Sequence, residues 1–166
     1  MARLDERSFA AFYERTRRPV WSYVYRVTGH AADADDIVQE AFCRIIGSEI
    51  DADDEEGLRR YVFKIASNLM ADRWRRVSRE ASWLERLRGA DIHVDAEYDD
   101  SVSRELAMLA PRERALLWLA YVEGGSHKEI ADALGLAQGS VKVLLFRART
   151  KLKRLLTIAG VVARVL

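Results

Sequence analysis

Apolar side chains recur every three or four residues along almost the whole of this 166-residue chain, and the every-second-residue alternation of a half-buried strand is nearly absent. That period belongs to amphipathic helices, so the chain is expected to fold as packed helices. Residues 5–17 and 19–28 read as two helices, with Pro19 in a first turn where its missing N–H costs little and Gly29 as the stop. From Asp33 to Ile46, the residues Ile37, Val38, Ala41, Phe42, Ile45 and Ile46 form one stripe, and Asp36, Gln39, Glu40 and Arg44 lie largely opposite. Ser48 to Gly57 holds six acidic residues and no basic one, and reads as a loop. A long amphipathic helix follows, with Leu58, Tyr61, Val62, Ile65, Ala66 and Leu69 facing inward. Helices of this size with short connections form a small bundle.

The pattern stops between Gly89 and Ser101, a stretch with five acids, no Lys or Arg and few core-forming residues. It reads as a linker able to span roughly 45 Å if extended, at about 3.5 Å per residue. Periodicity resumes at Val102, with Pro111 at a helix start and Glu113 in the first turn, and Gly124-Gly125 ends that helix. The expected fold is therefore all-α: a helical domain over 1–88, an acidic linker over 89–101 and a second helical domain over 102–166.

Charge is sorted along the same divisions. Residues 1–88 balance 16 basic against 16 acidic side chains, residues 89–125 hold three against eight, and residues 126–166 hold eight against two. A basic terminal segment points to a polyanion partner, and a solvated basic face is the alternative. A single cysteine, Cys43, excludes an internal disulfide framework and a thiolate zinc cage. His30, His93 and His127 belong to no metal-ligand motif, so neither a metal nor a cofactor is expected. No phosphate-binding glycine loop or nucleophile constellation is present, so the chain reads as a non-enzyme with no catalytic residue. The N-terminus lacks an apolar signal core, and no run reaches the ~18 apolar residues of a membrane span. A soluble, cytoplasmic protein without membrane insertion is expected.

The sharpest local signal lies near the C-terminus. Ser126-His127-Lys128-Glu129 is a capping box, and the helix it opens runs to Gly135. A second helix starts near Gln138. Ala131, Gly135 and Val141 carry the spacing of a helix-turn-helix: a small residue at the helix crossing, a left-handed turn and an apolar wedge between the helices. The second helix carries Lys142, Arg147, Arg149, Lys151, Lys153 and Arg154, with no acid from Gly139 to Arg154. Such a helix presents its N-terminal residues to base edges in the major groove, and cations farther along neutralise phosphates. A helical hairpin packing on a protein partner is the competing interpretation.

At these residues the chain resembles the extracytoplasmic-function (ECF) type of bacterial sigma factor. Asp33-Ala34-Asp35-Asp36-Ile37-Val38-Gln39-Glu40-Ala41-Phe42 is similar to that family's core-polymerase-binding helix. Leu58 through Leu69, continued by Asp72-Arg73-Trp74-Arg75-Arg76, is similar to its promoter-melting helix. Leu109 through Arg114 and Ser126 through Leu156 are similar to its fourth region.

The resemblance implies roles for named residues. Asp36, Gln39 and Glu40 would bind core RNA polymerase. Tyr61, Lys64, Asn68, Asp72, Arg75 and Arg76 would meet the downstream promoter element, although periodicity alone favours Tyr61 as core. Gln138, Ser140, Lys142, Val143, Phe146, Arg147 and Lys151 would read the upstream element. Promoter DNA, core polymerase and an anti-sigma factor are the implied partners. The linker would lie in the polymerase channel as a polyanion mimic, with a plain spacer as the alternative.

Two features depart from the family. Val143-Leu144 stands where the family often has Ser-Arg, and the loop Glu49 to Glu56 is strongly acidic, which disfavours phosphate approach but suits the start of the following helix. The apolar stretch 157–166 either packs on the last domain or docks on a partner. Two other functions stay open: a sigma mimic that occupies an anti-sigma factor, and a dimeric helix-turn-helix repressor.

Overall fold

The computed structural model describes residues 4–50, 54–80 and 101–160, and every regular element among them is an α-helix. They are α1 (Glu6–Thr28), α2 (Ala31–Ile46), α3 (Glu55–Glu80), α4 (Ser101–Ala107), α5 (Pro111–Tyr121), α6 (His127–Leu134) and α7 (Gln138–Ile158). Residues 89–100 of the expected linker, 51–53 of the acidic stretch and 161–166 of the apolar tail lie outside the described residues. Ser101, grouped with the linker by sequence, opens α4. The helices sort into two compact units: α1 to α3 make the first, with which residues 133–135 also group, and the rest of the helices after residue 100 make the second.

In the first unit, α1 is one helix of 23 residues rather than two, with Pro19 inside it. A proline in a helix interior costs about 3 kcal/mol. Phe12 and Thr16 before it, and Val20, Tyr23, Val24 and Val27 after it, are all buried. Each large apolar side chain buried contributes about 1.5–3 kcal/mol, so packing on both sides of Pro19 outweighs the local penalty. The ends follow the expected rules. Asp5 Oδ1 accepts from the Ser8 N–H at 2.7 Å, and these bonds to Ser8 hold its carboxyl below the ordinary value. Gly29 closes the helix at φ 78°, its N–H bonded to the Tyr25 carbonyl.

The stripe of α2 is buried as expected through Ile45, but Ile46 is 59% exposed, one position past the stripe's edge. Phe42 and Tyr13 meet edge to face with centroids 4.9 Å apart, and Phe42 also meets Phe9 and Phe12. Helix α3 begins inside the acidic stretch. Asp54 Oδ1 accepts from the Gly57 N–H at 2.8 Å, Glu55 pairs with Arg15 of α1, and Glu56 pairs with Arg60 one turn on. These carboxylates thus start the helix and tie it to α1. Leu58, Val62, Ile65 and Ala66 are buried as expected, joined by Phe63, Ser67, Met70 and Ala71, whereas Tyr61 and Leu69 are only half-buried. Ser67 Oγ donates to the Phe63 carbonyl at 2.7 Å, so the 2.8 Å bond from Tyr23 is donated by the phenol.

In the second unit, Leu109, Leu117 and Ala148 form a core that Leu106, Leu152 and Leu155 cover. The capping box opens α6: Glu129 N–H donates to Ser126 Oγ, and Glu129 Oε2 accepts from the Ser126 N–H. Gly135 lies at φ 65° and the Leu136 N–H reaches the Ala131 carbonyl, a left-handed helix stop. Ala131 and Val141 are buried, so all three positions of the expected helix-turn-helix take their expected places. Two buried charges were not anticipated from sequence. Arg114 and Glu105 are each 9% exposed, and burial lowers the Arg114 pKa.

Candidate nucleic-acid and partner interfaces

Helix α2 exposes Asp36, Gln39 and Glu40, but not as one patch. Asp36 and Glu40 line a cleft of about 230 Å³ between α2 and α3, together with Arg44, Asp72, Arg73 and Arg76. Glu40 accepts from Arg44 Nε at 2.8 Å, and Arg73 pairs with Asp33 at 2.6 Å beside this cleft. Gln39 lies on the other flank of α2, in a groove of about 660 Å³ shared with α1. Its lining includes Phe9, Tyr13, Trp21, Phe42 and the basic pair Arg17 and Arg18.

Sequence reasoning missed that aromatic groove. A readable signal existed, because Phe9, Tyr13, Trp21 and Tyr25 follow the four-residue step of a single helix face. Of its lining, Trp21 stacks on the buried Tyr25 at 4.9 Å and donates Nε1–H to Asp35 at 2.7 Å, while Arg17 lies over the Tyr13 ring. These contacts fix the ring orientations.

On α3, Lys64, Asp72, Arg75 and Arg76 are exposed, and Asn68 and Tyr61 are half-buried. Asp72 pairs with Arg75 one turn on, and it also faces the α2 cleft beside Arg76. Lys64, Asn68, Asp72 and Arg75 therefore form one polar edge, with Asp72 neutralising part of its positive charge. Tyr61 keeps part of its ring in solvent, so a contact to a partner is geometrically open to it.

Helix α7 buries one stripe, Val141, Leu145 and Ala148, and Ala148 packs with Leu109 and Leu117. Gln138, Lys142, Val143, Phe146, Arg147 and Lys151 are exposed, and Ser140 is half-buried with its hydroxyl donating to the Ala137 carbonyl at 2.7 Å. Leu144 is half-buried, whereas Val143 is exposed. Lys151 is held by Glu113 of α5 at 3.0 Å. The same Glu113 Oε2 accepts the Ala110 N–H at 2.8 Å, so one carboxylate caps α5 and fastens it to α7. The remaining cations of the outer face, Lys142, Arg147, Arg149, Lys153 and Arg154, have no ion pair among the described residues. Their side chains are free to meet phosphates.

Among the described residues there is no group of three or more His, Cys, Asp or Glu able to hold a metal ion. Among them, too, no helix is long and apolar enough to cross a membrane.

Comparison with known proteins agrees with this architecture. Residues 12–80 match Sigma-70 region 2 and residues 99–152 match Sigma-70, region 4. The ECF RNA polymerase sigma factor SigL of Mycobacterium tuberculosis is 33% identical over 160 residues, covering 91% of this chain and 90% of that protein. SigW of Bacillus subtilis, another ECF RNA polymerase sigma factor, is 25% identical, covering 90% of this chain and 89% of its own. CnrH, solved in complex with the cytosolic domain of CnrY, superposes with a TM-score of 0.62 at 28% identity, covering 93% of this chain and 90% of its own. The sigma factor RpoE of Bartonella quintana, solved with the anti-sigma factor NepR, shares the fold at a TM-score of 0.65 and 21% identity, covering 90% of this chain and 97% of its own. Two sigma-region matches in the right order and relatives aligned over nearly the full length leave one assignment: the chain belongs to the ECF RNA polymerase sigma factors.

Proposed function

We propose that this chain binds core RNA polymerase through its first unit and directs it to promoters by reading two DNA elements. Domain 1–88 carries core binding and downstream-element opening, 89–101 is the tether, and 102–166 reads the upstream element. The observation that carries this function is the outer face of α7. It is a helix-turn-helix second helix with five cations outside any described ion pair and no acid from Gly139 to Arg154. A duplex major groove is the surface such a helix fits.

Asp36 and Glu40 supply carboxylates to a basic helical surface of the polymerase, and Gln39 contributes an amide from the neighbouring groove. On α3, the Asn68 amide can bond a base edge, Lys64, Arg75 and Arg76 neutralise phosphates, and the exposed part of Tyr61 can stack on an unpaired base. Asp72 orients Arg75. On α7, Gln138 and Lys142 approach base edges, Arg147 takes a phosphate, and Ser140 offers its hydroxyl oxygen as an acceptor. An anti-sigma factor is a further proposed partner, supported by CnrH and RpoE, whose solved complexes hold CnrY and NepR. These activities place the chain in the cytoplasm and require no catalytic residue of its own.

The test is affinity capture with core polymerase, followed by transcription from a promoter library. Core association with promoter-selective transcripts is expected, and Asp36→Lys with Glu40→Lys should weaken core association. Capture of an anti-sigma factor without transcription would support a sigma mimic, and dimeric operator binding without core would support a repressor.

A further inference from the structure

Among the cations of α7 stand two exposed apolar side chains that the fold does not use. Val143 is 49% exposed and Phe146 is 61% exposed. They are three residues apart, so they are neighbours on one face of the helix, and Val143 lies almost opposite the buried stripe of Val141, Leu145 and Ala148. Lys142 and Arg147 flank them. Gly139 sits one turn before Val143 on the same face, and a Cβ there would meet nothing within 4 Å. Packing therefore does not demand a glycine at that position, and its bare backbone leaves room for close approach.

The charge on this face selects a polyanion, and a duplex presents one apolar group in its major groove: the 5-methyl of thymine. We infer that Val143 and Phe146 form a thymine-methyl contact pair that sets sequence preference in the upstream element. Lys142, toward the neighbouring base edge, and Arg147, toward the backbone, stand on either side of the pair. This inference rests on the promoter-binding function proposed above and specifies what the Val143-Leu144 departure does: Val143 reads the groove, and Leu144 stays half-buried beside it. The preference is for one or two T·A pairs, recognised by shape and apolar contact instead of a bidentate Arg–guanine bond.

The experiment uses the full chain bound to core polymerase and a random duplex library to select the preferred upstream sequence. The selected duplex is then remade with deoxyuridine in place of thymidine, one position at a time, which removes only the methyl. Binding should fall about fourfold at one or two positions, the effect of withdrawing one buried methyl group. Val143→Ala and Phe146→Ala should keep the melting temperature, because both side chains are exposed, and should bind the thymidine and deoxyuridine duplexes more nearly equally. Selective duplex binding with no deoxyuridine effect at any position would overturn the inference alone and leave the apolar pair to a protein partner. An effect that persists undiminished in both variants would also overturn it. Failure to select any duplex would overturn the promoter-binding function with it.

Discussion

Arg147 and Lys151 occupy successive turns of α7, and sequence alone assigns both to phosphate contact. The structure separates them. Arg147 has no ion pair among the described residues, whereas Lys151 Nζ is 3.0 Å from Glu113 Oε2. Each phosphate neutralised by a protein cation adds about −0.9 to the slope of log K against log salt. Arg147→Ala should therefore reduce the steepness by about 0.9, and Lys151→Ala by close to zero. Between about 50 and 200 mM salt that difference amounts to about 3.5-fold in affinity. The assay is fluorescence anisotropy of the core-bound chain on its selected upstream duplex, titrated at five or six salt concentrations. Glu113→Gln sharpens it, because releasing Lys151 should steepen the slope toward one additional contact. An equal loss of slope in the Arg147 and Lys151 variants would refute the reasoning, since Glu113 would then not withhold Lys151 from DNA.

Three further substitutions test the frame that holds this helix. Val141→Ala trims a fully buried side chain of α7 and should cost about 2 kcal/mol in denaturant unfolding, where a loss under about 0.5 kcal/mol would count against it. Ser126→Ala removes the acceptor for the Glu129 N–H and should cost about 1 kcal/mol, with Ser126→Asp retaining stability. Arg114→Met should stabilise the second unit by on the order of 1 kcal/mol, because it replaces a buried cation whose Nε has no hydrogen-bond partner among the described residues. Burial disfavours the charged form of Arg114 in the fold, so this cost is present at every pH below its folded-state pKa and disappears only above it. The gain from Arg114→Met should accordingly be the same at pH 6 and pH 9, and a gain confined to one of them would contradict this account.

Much of the fold was legible because period and caps act locally. The stop at Gly29, the Ser126–Glu129 box and the Ala131–Gly135–Val141 spacing each depend on a few neighbouring residues, and each stands where sequence places it. What sequence misplaced depends on distant partners. Pro19 reads as a boundary until the side chains buried on both sides of it are known, and Glu55 reads as loop until Asp54 caps the turn and Arg15 receives it. The candidate sites divide the same way. Exposure of Asp36, Gln39 and Glu40 follows from the α2 stripe, but their partition between a cleft with α3 and a groove with α1 depends on where those helices pack. The tie between Glu113 and Lys151 spans 38 residues and has no local signature.

The most direct measurement is association of the purified full chain with catalytic core RNA polymerase at low salt, followed by transcription from a promoter pool. A stoichiometric complex that initiates from a selected subset of promoters is the predicted result. A chain that stays separate from core enzyme under those conditions would contradict the account, whatever its helix-turn-helix binds.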